Sequence, residues 1–210
     1  MAAAVILVSA SPGEVRTALL EGGMLTEAWV ERPARPDGVG DLQRGRVSAV
    51  APAMAGAFVL LADGETGFLP ESEASPERRP IAAVVQEGLA LPLRVTRAAQ
   101  GGKGPRVTAR LSPPESAIVA AAPAGTPILV ARGPSAAERL AARHPAAELL
   151  VDNAALLARL RVRLGGRVRL VPIPAFDDAL EAEFDGLAEA EAPLPGGGRL
   201  LIHPTPALTA

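Results

Sequence analysis

The sequence predicts a mixed α/β protein with a small β-barrel inserted into it. Helix and strand signals alternate in residues 1–37 and again in residues 123–175, whereas short β-type segments separated by turns fill residues 38–112. Strands that alternate with helices form mostly parallel sheets, and short strands at close spacing form barrels. We therefore expect the two flanking stretches to share one sheet, and the middle stretch to form a barrel that interrupts it.

The composition excludes several classes of protein. A chain of 210 residues can bury a substantial core, and 49% hydrophobic with 21% charged residues excludes a disordered chain. No apolar run reaches the roughly 20 residues that a transmembrane helix needs, so we expect no membrane partner. The absence of cysteine excludes disulfides, thiolate zinc sites and thiol nucleophiles, and it agrees with a cytoplasmic location. A formal net charge of -2 excludes a polycation but allows a local basic face.

Residues 1–37 are predicted to form a strand, a helix and a second strand. The apolar run at residues 5–8 (VILV) indicates a buried strand; the alternative, the core of a signal peptide, lacks the positive charge that precedes such a core. The segment SPGE at residues 11–14 suits the N-cap and capping box of a helix, which a pair of glycines would end. A strand at residues 25–31 and a proline-rich linker complete this stretch.

The middle stretch changes to short strands with glycines at the bends. Its five β-type segments lie at residues 45–50, 56–61, 67–69, 91–96 and 106–110. Five short strands joined by turns in one small domain are typical of a Greek-key barrel of the OB type. We therefore predict a five-stranded OB-type barrel at residues 38–112, followed by a short linker at residues 113–122.

Alternation of strand and helix returns after the linker. We predict strands at residues 127–131, 148–151 and 168–173, with helices between them. Ser135 and Asn153 are suited to cap the N termini of these two helices. Because the order is β-α-β-α-β, we expect a mostly parallel sheet with right-handed crossovers.

The last stretch, residues 176–210, begins with an acidic helix. Residues 177–191 hold seven carboxylates and no basic side chain. A solvated helix face is the default interpretation of such a run, and metal ligation is the alternative. A strand at residues 199–203 follows a glycine-rich turn, and a further strand is predicted to begin at residues 207–210.

The barrel segments contain side chains that suit single-stranded nucleic acid. Phe58 and Phe68 lie in strand-like contexts, and Lys103 is the only lysine among 21 basic residues. Arg46 and Arg106 add positive charge, and the barrel stretch holds nine basic side chains against seven acidic ones. Exposed aromatic rings stack on unpaired bases for about 1–3 kcal/mol each, and cations follow the phosphates. The alternative is that both phenylalanines fill the barrel core and the arginines form a solvated face.

No catalytic residue and no metal-binding set is predicted. The sequence has no G-x-S-x-G motif, and the glycine-rich turn around Lys103 lacks the spacing of a phosphate-binding P-loop. His144 and His203 have no second ligand nearby, so both are predicted to be structural. The basic stretch at residues 159–169 has two open interpretations, contact with phosphate or pairing with the acidic helix. We therefore expect residues that bind rather than react.

Four short segments of the barrel form an ordered set of motifs. They are GDLQRGRV at residues 40–47, AFV at 57–59, GFLP at 67–70 and KGPRVT at 103–108. This set resembles the S1 RNA-binding domain of the ribonuclease E/G family. Segments outside the barrel are similar to the family too, in the family's order: the opening strands, LLVDN at residues 149–153, a Pro-x-Phe helix start at 174–176, and the glycine-rich turn, strand and ALTA ending at 196–210.

The resemblance implies a domain arrangement. Residues 1–37 with about 123–175 would form an RNase H-like subdomain, and residues 38–112 an S1-like barrel inserted into it. Residues 176–210 would form the start of a DNase I-like subdomain.

The resemblance also implies a function. Phe58, Phe68 and Lys103 match the family's RNA-contacting positions. The family cleaves single-stranded RNA endonucleolytically, in RNA processing and decay, with two aspartates that hold Mg²⁺ and activate water.

The sequence departs from the family pattern in three respects. Residues 113–122 stand where the family has its 5′-sensor domain, so we expect no sensing of the RNA 5′ end. The sequence stops before the strand that carries the first catalytic aspartate. The Mg²⁺ ligands and the cysteine motif for zinc-linked dimerisation are therefore missing, and we predict that these 210 residues are inactive alone. His203 and Pro206 also replace residues that are usually acidic in the family.

Three functions are open at this point. The first is the RNA-binding part of an endoribonuclease of this family, with Mg²⁺ as the family's cofactor. The second is a non-catalytic protein, derived from the family, that binds single-stranded RNA. The third is an α/β protein whose barrel serves another partner. Whether the chain forms a homo-oligomer is left open as well.

Overall fold

The computed structural model describes residues 3–77, 79–172, 174–194 and 196–203. Its strands are β1 (Ala4–Ser11), β2 (Glu14–Glu21), β3 (Met24–Glu31), β4 (Leu42–Ala51), β5 (Gly56–Leu60), β6 (Thr66–Pro70), β7 (Ala90–Arg97), β8 (Arg106–Thr108), β9 (Ile128–Ala131), β10 (Glu148–Val151), β11 (Val168–Leu170), β12 (Glu191–Pro193) and β13 (Arg199–Leu201). Its helices are α1 (Glu71–Ala74), α2 (Ile81–Val84), α3 (Pro113–Ala121), α4 (Ala136–Arg143), α5 (Ala154–Leu164) and α6 (Asp178–Gly186). Within the described ranges, no helix combines the length and the apolar character needed to span a bilayer.

The chain divides into two compact units. The first unit combines Met1–Pro36 with Pro134–Ala210, and the second is the continuous segment Asp37–Gly133.

The first unit contains a mixed five-stranded sheet in the order β11-β10-β1-β2-β3. Strands β1, β2 and β3 form an antiparallel meander, whereas β10 runs parallel to both β1 and β11. Ile6 and Val8 of β1 pack with α4 and α5 in one hydrophobic cluster. Leu7, which points to the other side of the strand, packs in a second cluster with Phe184 of α6. The sheet therefore has helices on both faces.

The helix predicted to begin at residue 11 is wrong, because the chain turns back after β1 as a second strand. β1 and β2 pair along their whole length, with Ser11 opposite Glu14, so only Pro12 and Gly13 connect them. Gly13 has a φ of 86°, and proline followed by glycine at positive φ is the sequence of a type II turn. The glycine pair at residues 22–23 forms a second tight turn, with φ values of 61° and 84°, between β2 and β3.

The second unit contains a closed five-stranded barrel. Strand β4 pairs with both β5 and β7, and the pairs β5–β6, β6–β8 and β7–β8 complete the ring. The core is filled by almost fully buried side chains that point inward, such as Val47, Val59, Leu69, Leu93 and Val107. This ring of five strands is compatible with the predicted OB-type barrel.

Strand β9 was predicted to join the parallel sheet, but it pairs in the barrel unit instead. It lies antiparallel to residues 42–44 at the start of β4. Strand β5 pairs only with residues 46–51 of β4, so the first residues of β4 have an open edge on that side. An open edge leaves backbone N–H and C=O groups without partners. β9 satisfies these groups, and this explains its place.

The segment predicted as a linker, residues 113–122, is mostly the helix α3. The side chain of Glu115 accepts hydrogen bonds from the backbone N–H and the hydroxyl of Ser112, both at 2.7 Å, which closes a capping box. At the other end, Arg44 of β4 donates to the carbonyl oxygens of Val119 at 2.8 Å and Pro123 at 2.9 Å. These bonds attach the segment to the barrel.

The acidic helix α6 is shorter than the acidic run that predicts it. Asp177 caps its N terminus, because its side chain accepts a hydrogen bond from the backbone N–H of Leu180 at 2.8 Å. β12 and β13 follow as a two-stranded antiparallel sheet. The strand predicted at residues 207–210, Pro206 and the last residue of the strand predicted at 168–173 lie outside the described residues.

Candidate nucleic-acid interface

Phe58 and Phe68 lie on the outer face of the barrel, opposite each other on the adjacent strands β5 and β6. Side chains alternate along a strand, and their neighbours Ala57, Val59 and Leu69 are buried in the core, so the two phenylalanines point outward. Both are half-buried. Their ring centroids lie 5.7 Å apart, with the ring planes at 61° to each other. The alternative interpretation, in which these rings fill the barrel core, is therefore wrong.

Gly56 provides the surface on which the Phe68 ring rests. A β-carbon at this position would lie 2.3 Å from Cζ and 2.6 Å from Cε2 of Phe68, far inside van der Waals contact. Because Gly56 is two residues before Phe58, it lies on the same outer face of β5. The missing side chain lets the Phe68 ring lie across β5. The sequence reasoning missed this role, although a glycine inside a strand is a signal for a close approach.

Lys103 stands near the tip of the hairpin between β7 and β8. Its backbone N–H and C=O both bond to Gln100 at 3.0 Å, around a two-residue turn at 101–102 in which both glycines have positive φ. A β-carbon on Gly104 would lie 1.9 Å from the backbone oxygen of Thr66, so only glycine lets this segment pass so close to β6. Lys103 is exposed, and its ammonium group has no salt bridge or hydrogen bond to any residue that the structure describes.

Arg106 continues the line that begins with the two rings. It is the residue of β8 in register with Phe68, so Phe58, Phe68 and Arg106 form one row across β5, β6 and β8; we call it the outer row. The backbone N–H of Phe68 donates to the carbonyl oxygen of Pro105 at 2.8 Å, which holds the start of β8 beside β6. Arg106 is exposed, and in the described part of the chain its guanidinium has no partner.

Arg46 lies on the same face, one step along the β4–β5 ladder. It is in register with Leu60, which is two residues from Phe58 and therefore also faces outward. Its guanidinium donates to the carbonyl oxygens of Gly88 at 3.1 Å and Thr126 at 3.4 Å. Arg46 therefore contributes charge near the outer row, but part of its donor capacity is used within the protein.

The second unit also has an open groove of about 470 Å³. Its polar lining residues are Glu73, Arg94, Thr108, Arg110 and Ser112. Arg94 forms a salt bridge with Glu115 at 2.6 Å. Burial works to raise the pKa of Glu115, but hydrogen bonds from Ser112 and Arg94 outweigh it and lower that pKa. Because this carboxylate is ionised, it balances the charge of Arg94.

The arginines at residues 159–169 are mostly engaged within the first unit. Arg163 pairs with Glu138 at 3.4 Å, and Arg169 pairs with Glu148. Arg167 donates to backbone carbonyl oxygens at the end of α4 and just beyond it, those of Ala141, His144 and Ala147. These three arginines therefore pair within the first unit, and none of the bonds named above joins them to the acidic helix.

The acidic helix α6 pairs with an arginine of β2 instead. Arg16 forms salt bridges with Glu181 at 2.6 Å and Asp185 at 2.9 Å, and its guanidinium lies 5.2 Å from the centre of the Phe184 ring. A hydrogen bond to Glu14, with these two carboxylates adding to it, raises the pKa of Arg16. Two carboxylates of α6 therefore attach the helix to β2.

The described residues contain no cluster of three or more metal-ligating side chains. Asp152 accepts hydrogen bonds from the backbone N–H groups of Ala10 at 3.0 Å and Ala175 at 3.1 Å. His144 is the C-cap residue of α4 and lies 4.0 Å from Glu21. These groups support the fold.

Comparison with known proteins identifies relatives. No protein-family model matches the sequence. Ribonuclease G of Escherichia coli (strain K12) is 34% identical over 127 residues, which are 54% of this chain and 26% of that protein. Ribonuclease G of Haemophilus influenzae is 33% identical over 132 residues, 57% of this chain and 27% of that protein. Ribonuclease E of Escherichia coli (strain K12) is 27% identical over 109 residues, 47% of this chain and 10% of that protein.

The similarity covers about half of the chain, and the chain spans about a quarter of the length of the ribonucleases G that it matches. Both ribonucleases G and ribonucleases E are among the relatives. The chain is therefore homologous to ribonucleases of the E/G family over about half of its length.

Proposed function

We propose that the chain is the RNA-binding part of a ribonuclease E/G-type endoribonuclease that acts on single-stranded RNA in the cytoplasm, in RNA processing and decay. The observation that carries the proposal is the outer row of the barrel, in which two outward-facing rings adjoin an unpaired arginine. The motifs that resemble an S1 domain lie on the same strands and hairpin. We therefore assign RNA binding to this face of the barrel.

The chemistry of the outer row suits unpaired nucleotides. A base in a duplex is covered on both faces by its neighbours, whereas an unpaired base can stack on an aromatic ring for about 1–3 kcal/mol. Phe58 and Phe68 are half-buried, so each ring is supported by the barrel and still offers area to a base. Arg106 and Lys103 supply the cations for the phosphates between such bases, and Arg46 adds charge nearby.

The fold is consistent with the arrangement that the family implies. We propose that residues 1–37 with about 123–175 form an RNase H-like subdomain, and the mixed sheet of the first unit supports this. Strand β9 is an exception, because it pairs with β4 of the barrel. We also propose that residues 176–210 begin a DNase I-like subdomain.

The family cleaves RNA with Mg²⁺ held by two aspartates, and we assign no catalytic step to the described residues. The function proposed for these residues is the capture of RNA. A non-catalytic protein that binds single-stranded RNA is the second candidate, and it shares this binding face.

The proposal is tested by titrating the chain with a labelled single-stranded RNA of about 12 nucleotides, alone and annealed to its complement. Phe58→Ala and Phe68→Ala should each weaken binding of the single strand by about 5- to 150-fold, the equivalent of 1–3 kcal/mol. Lys103→Ala should weaken it and reduce its salt dependence. Trp29→Ala is the matched control, because Trp29 is an exposed aromatic residue of the first unit.

Equal affinity in all three barrel variants and the parent chain would overturn the proposal, as would preference for the duplex. Incubation of the complex with Mg²⁺ tests whether these residues also cleave RNA, and both candidates predict that the purified chain does not. Release of shorter RNA by the purified chain would favour an endoribonuclease activity in these residues. Binding without cleavage would leave RNA capture as their function.

A further inference from the structure

The hairpin that joins β7 to β8 carries three cations and no carboxylate. Residues 97–106 contain Arg97, Lys103 and Arg106 but neither Asp nor Glu. Lys103 is near the tip, Arg97 ends β7 and Arg106 begins β8. All three are exposed, and none has a salt bridge or a side-chain hydrogen bond to the residues that the structure describes. This hairpin is therefore a concentration of unbalanced positive charge beside the outer row.

A β-bulge places Arg97 opposite Arg106. Val95 pairs with Val107, but the register then shifts, so that Arg97 rather than Thr96 is the partner of Arg106. Thr96 is the extra residue, and its hydroxyl donates to the carbonyl oxygen of Arg106 at 3.1 Å. Bulges re-aim side chains and are frequent beside functional sites. Here the bulge extends the outer row across a fourth strand, from β5 through β6 and β8 to β7.

Two like charges directly opposite each other on neighbouring strands destabilise a sheet. On the same strand β7, the charge of Arg94 is balanced by Glu115 at 2.6 Å. The described residues supply no such carboxylate to Arg97 and Arg106. Each guanidinium presents five N–H donors in a planar fork, which suits the several oxygens of a phosphate group. A phosphate between the two side chains would relieve their repulsion and satisfy both forks.

We propose that Arg97 and Arg106 form a clamp for one phosphate group of the bound RNA. The proposal rests on RNA binding by the barrel and deepens it, because it adds Arg97 as a contact residue and orders the contacts. Neighbouring strands lie about 4.8 Å apart, so the clamp begins one strand beyond Phe68. The RNA then crosses the barrel from β5 toward β7, with two base positions on the rings followed by a backbone position on the arginines.

The clamp is tested with two probes, the single-stranded RNA and an inorganic polyphosphate, which has the charge of a nucleic acid backbone but no bases. Arg97→Gln and Arg106→Gln should each lower the affinity for both probes about tenfold at low salt. Each should also reduce the slope of log affinity against log salt by about 0.7 for RNA, the value for one lost phosphate contact on a single strand. Arg97→Lys should recover the salt slope but only part of the affinity, because it restores the charge without the fork.

Arg159→Gln is the matched control, since Arg159 is an exposed arginine of the first unit with no side-chain partner in the described part of the chain. It should leave the affinity for both probes unchanged. A loss of affinity equal to that of the hairpin variants would overturn the clamp in favour of a general charge effect. Unchanged binding of both probes by Arg97→Gln and Arg106→Gln would overturn it as well.

Phe58→Ala distinguishes the clamp from the function on which it rests. This change should weaken the binding of RNA and leave the binding of polyphosphate unchanged. If polyphosphate binding depends on the two arginines but the chain does not bind RNA, the arginines form a phosphate site, and the proposed function and its RNA clamp both fail. If the ring substitution weakens RNA binding while the arginine substitutions change the binding of neither probe, the proposed function holds and the clamp fails.

Discussion

Two pairs of phenylalanines have almost the same geometry in the two units but are buried to different degrees. Phe176 and Phe184 of the first unit have ring centroids 5.4 Å apart at 52°, and both are buried, at 3% and 6% exposure. Phe58 and Phe68 of the barrel lie 5.7 Å apart at 61°, and both are half-buried. The first pair stabilises a core, whereas the second pair leaves ring area to solvent. Ring geometry alone therefore does not distinguish a core pair from a pair that a ligand could reach.

The arginines show the same contrast. In the first unit, Arg16 and Arg143 form short salt bridges with carboxylates of that unit. On the β7–β8 hairpin, Arg97 and Arg106 have no such partner among the described residues. The count of charges does not reveal this difference, because the barrel stretch has nine basic side chains against seven acidic ones. The pairing of each arginine, rather than their number, shows that Arg97 and Arg106 lie unpaired beside each other on one hairpin.

The largest expected effect comes from the buried ring pair. Phe184→Ala should lower the free energy of unfolding of the first unit by about 3–5 kcal/mol, since it removes a large side chain from a packed core. RNA affinity, measured where the variant is still folded, should stay within about twofold of the parent. Urea unfolding followed by fluorescence of Trp29, the single tryptophan and a residue of this unit, measures the change. A loss of RNA affinity as large as that of Phe58→Ala would contradict the division between the two ring pairs.

A smaller effect is expected from Gly56, which supports the exposed pair. Gly56→Ala should displace the Phe68 ring, because the new methyl group would overlap Cζ of Phe68. We expect RNA affinity to fall about tenfold, a change of about 1.4 kcal/mol. Some loss of barrel stability should accompany it, because the methyl group would also lie 2.8 Å from the backbone oxygen of Leu69. Titration with single-stranded RNA and a circular dichroism melt measure the two effects.

A double variant separates ring positioning from general destabilisation. In the Phe68→Ala background, Gly56→Ala should cause no further loss of RNA affinity, because the ring that it displaces is already absent. Additive losses in the double variant would show that Gly56 acts through the barrel as a whole. They would remove its assignment as a positioning residue.

Much of the fold was predictable from local patterns. The short segments bounded by glycines correspond to the strands of the barrel, and the apolar run at residues 5–8 lies in a buried strand. The caps were also predicted. The hydroxyl of Ser135 accepts a hydrogen bond from the backbone N–H of Glu138 at 3.3 Å, and the side chain of Asn153 accepts one from the N–H of Leu156 at 3.0 Å.

The errors occurred where two local signals competed or where the partner is distant in sequence. The segment SPGE at residues 11–14 satisfies both a capping box and a proline–glycine turn, and pairing with β1 along eight residues decides for the turn. Strand β9 was recognised as a strand, but its partner depends on which edge of β4 is left open. Neither the pairing of β2 with β1 nor the open edge of β4 is encoded in a short window of sequence.

The candidate site was predictable in its residue types and not in its arrangement. Phe58, Phe68, Lys103 and Arg106 were identified from rarity, charge and resemblance, yet the sequence could not decide whether the rings point inward or outward. Arg97 was counted only as added charge, since its place opposite Arg106 depends on a bulge between β7 and β8. Such a register shift follows from the packing of two strands, so it is not visible in either strand alone.

The smallest expected effect tests the contrast between paired and unpaired arginines by pH. Arg143 of the first unit donates two hydrogen bonds to Glu27, at 2.8 Å and 2.6 Å. The first of the causes that lower the pKa of Glu27 is this bond to Arg143, and burial opposes it. A carboxylate with a lowered folded-state pKa contributes stability above its unfolded pKa of about 4.3, and this contribution is lost as the pH falls through the folded value.

Glu27→Gln should therefore destabilise the first unit at about pH 6, and the difference from the parent should shrink toward about pH 3. The loss of unfolding free energy should stay below about 1 kcal/mol, because the side chain of Arg143 is 51% exposed and solvent screens the pair. Arg97→Gln should show no such pH-dependent difference, because the described residues offer Arg97 no carboxylate to titrate. Urea midpoints at several pH values measure both variants. A pH dependence for Arg97→Gln that matches the one for Glu27→Gln would mean that Arg97 is paired with a carboxylate in solution. The contrast between paired arginines of the first unit and unpaired arginines of the hairpin would then be wrong.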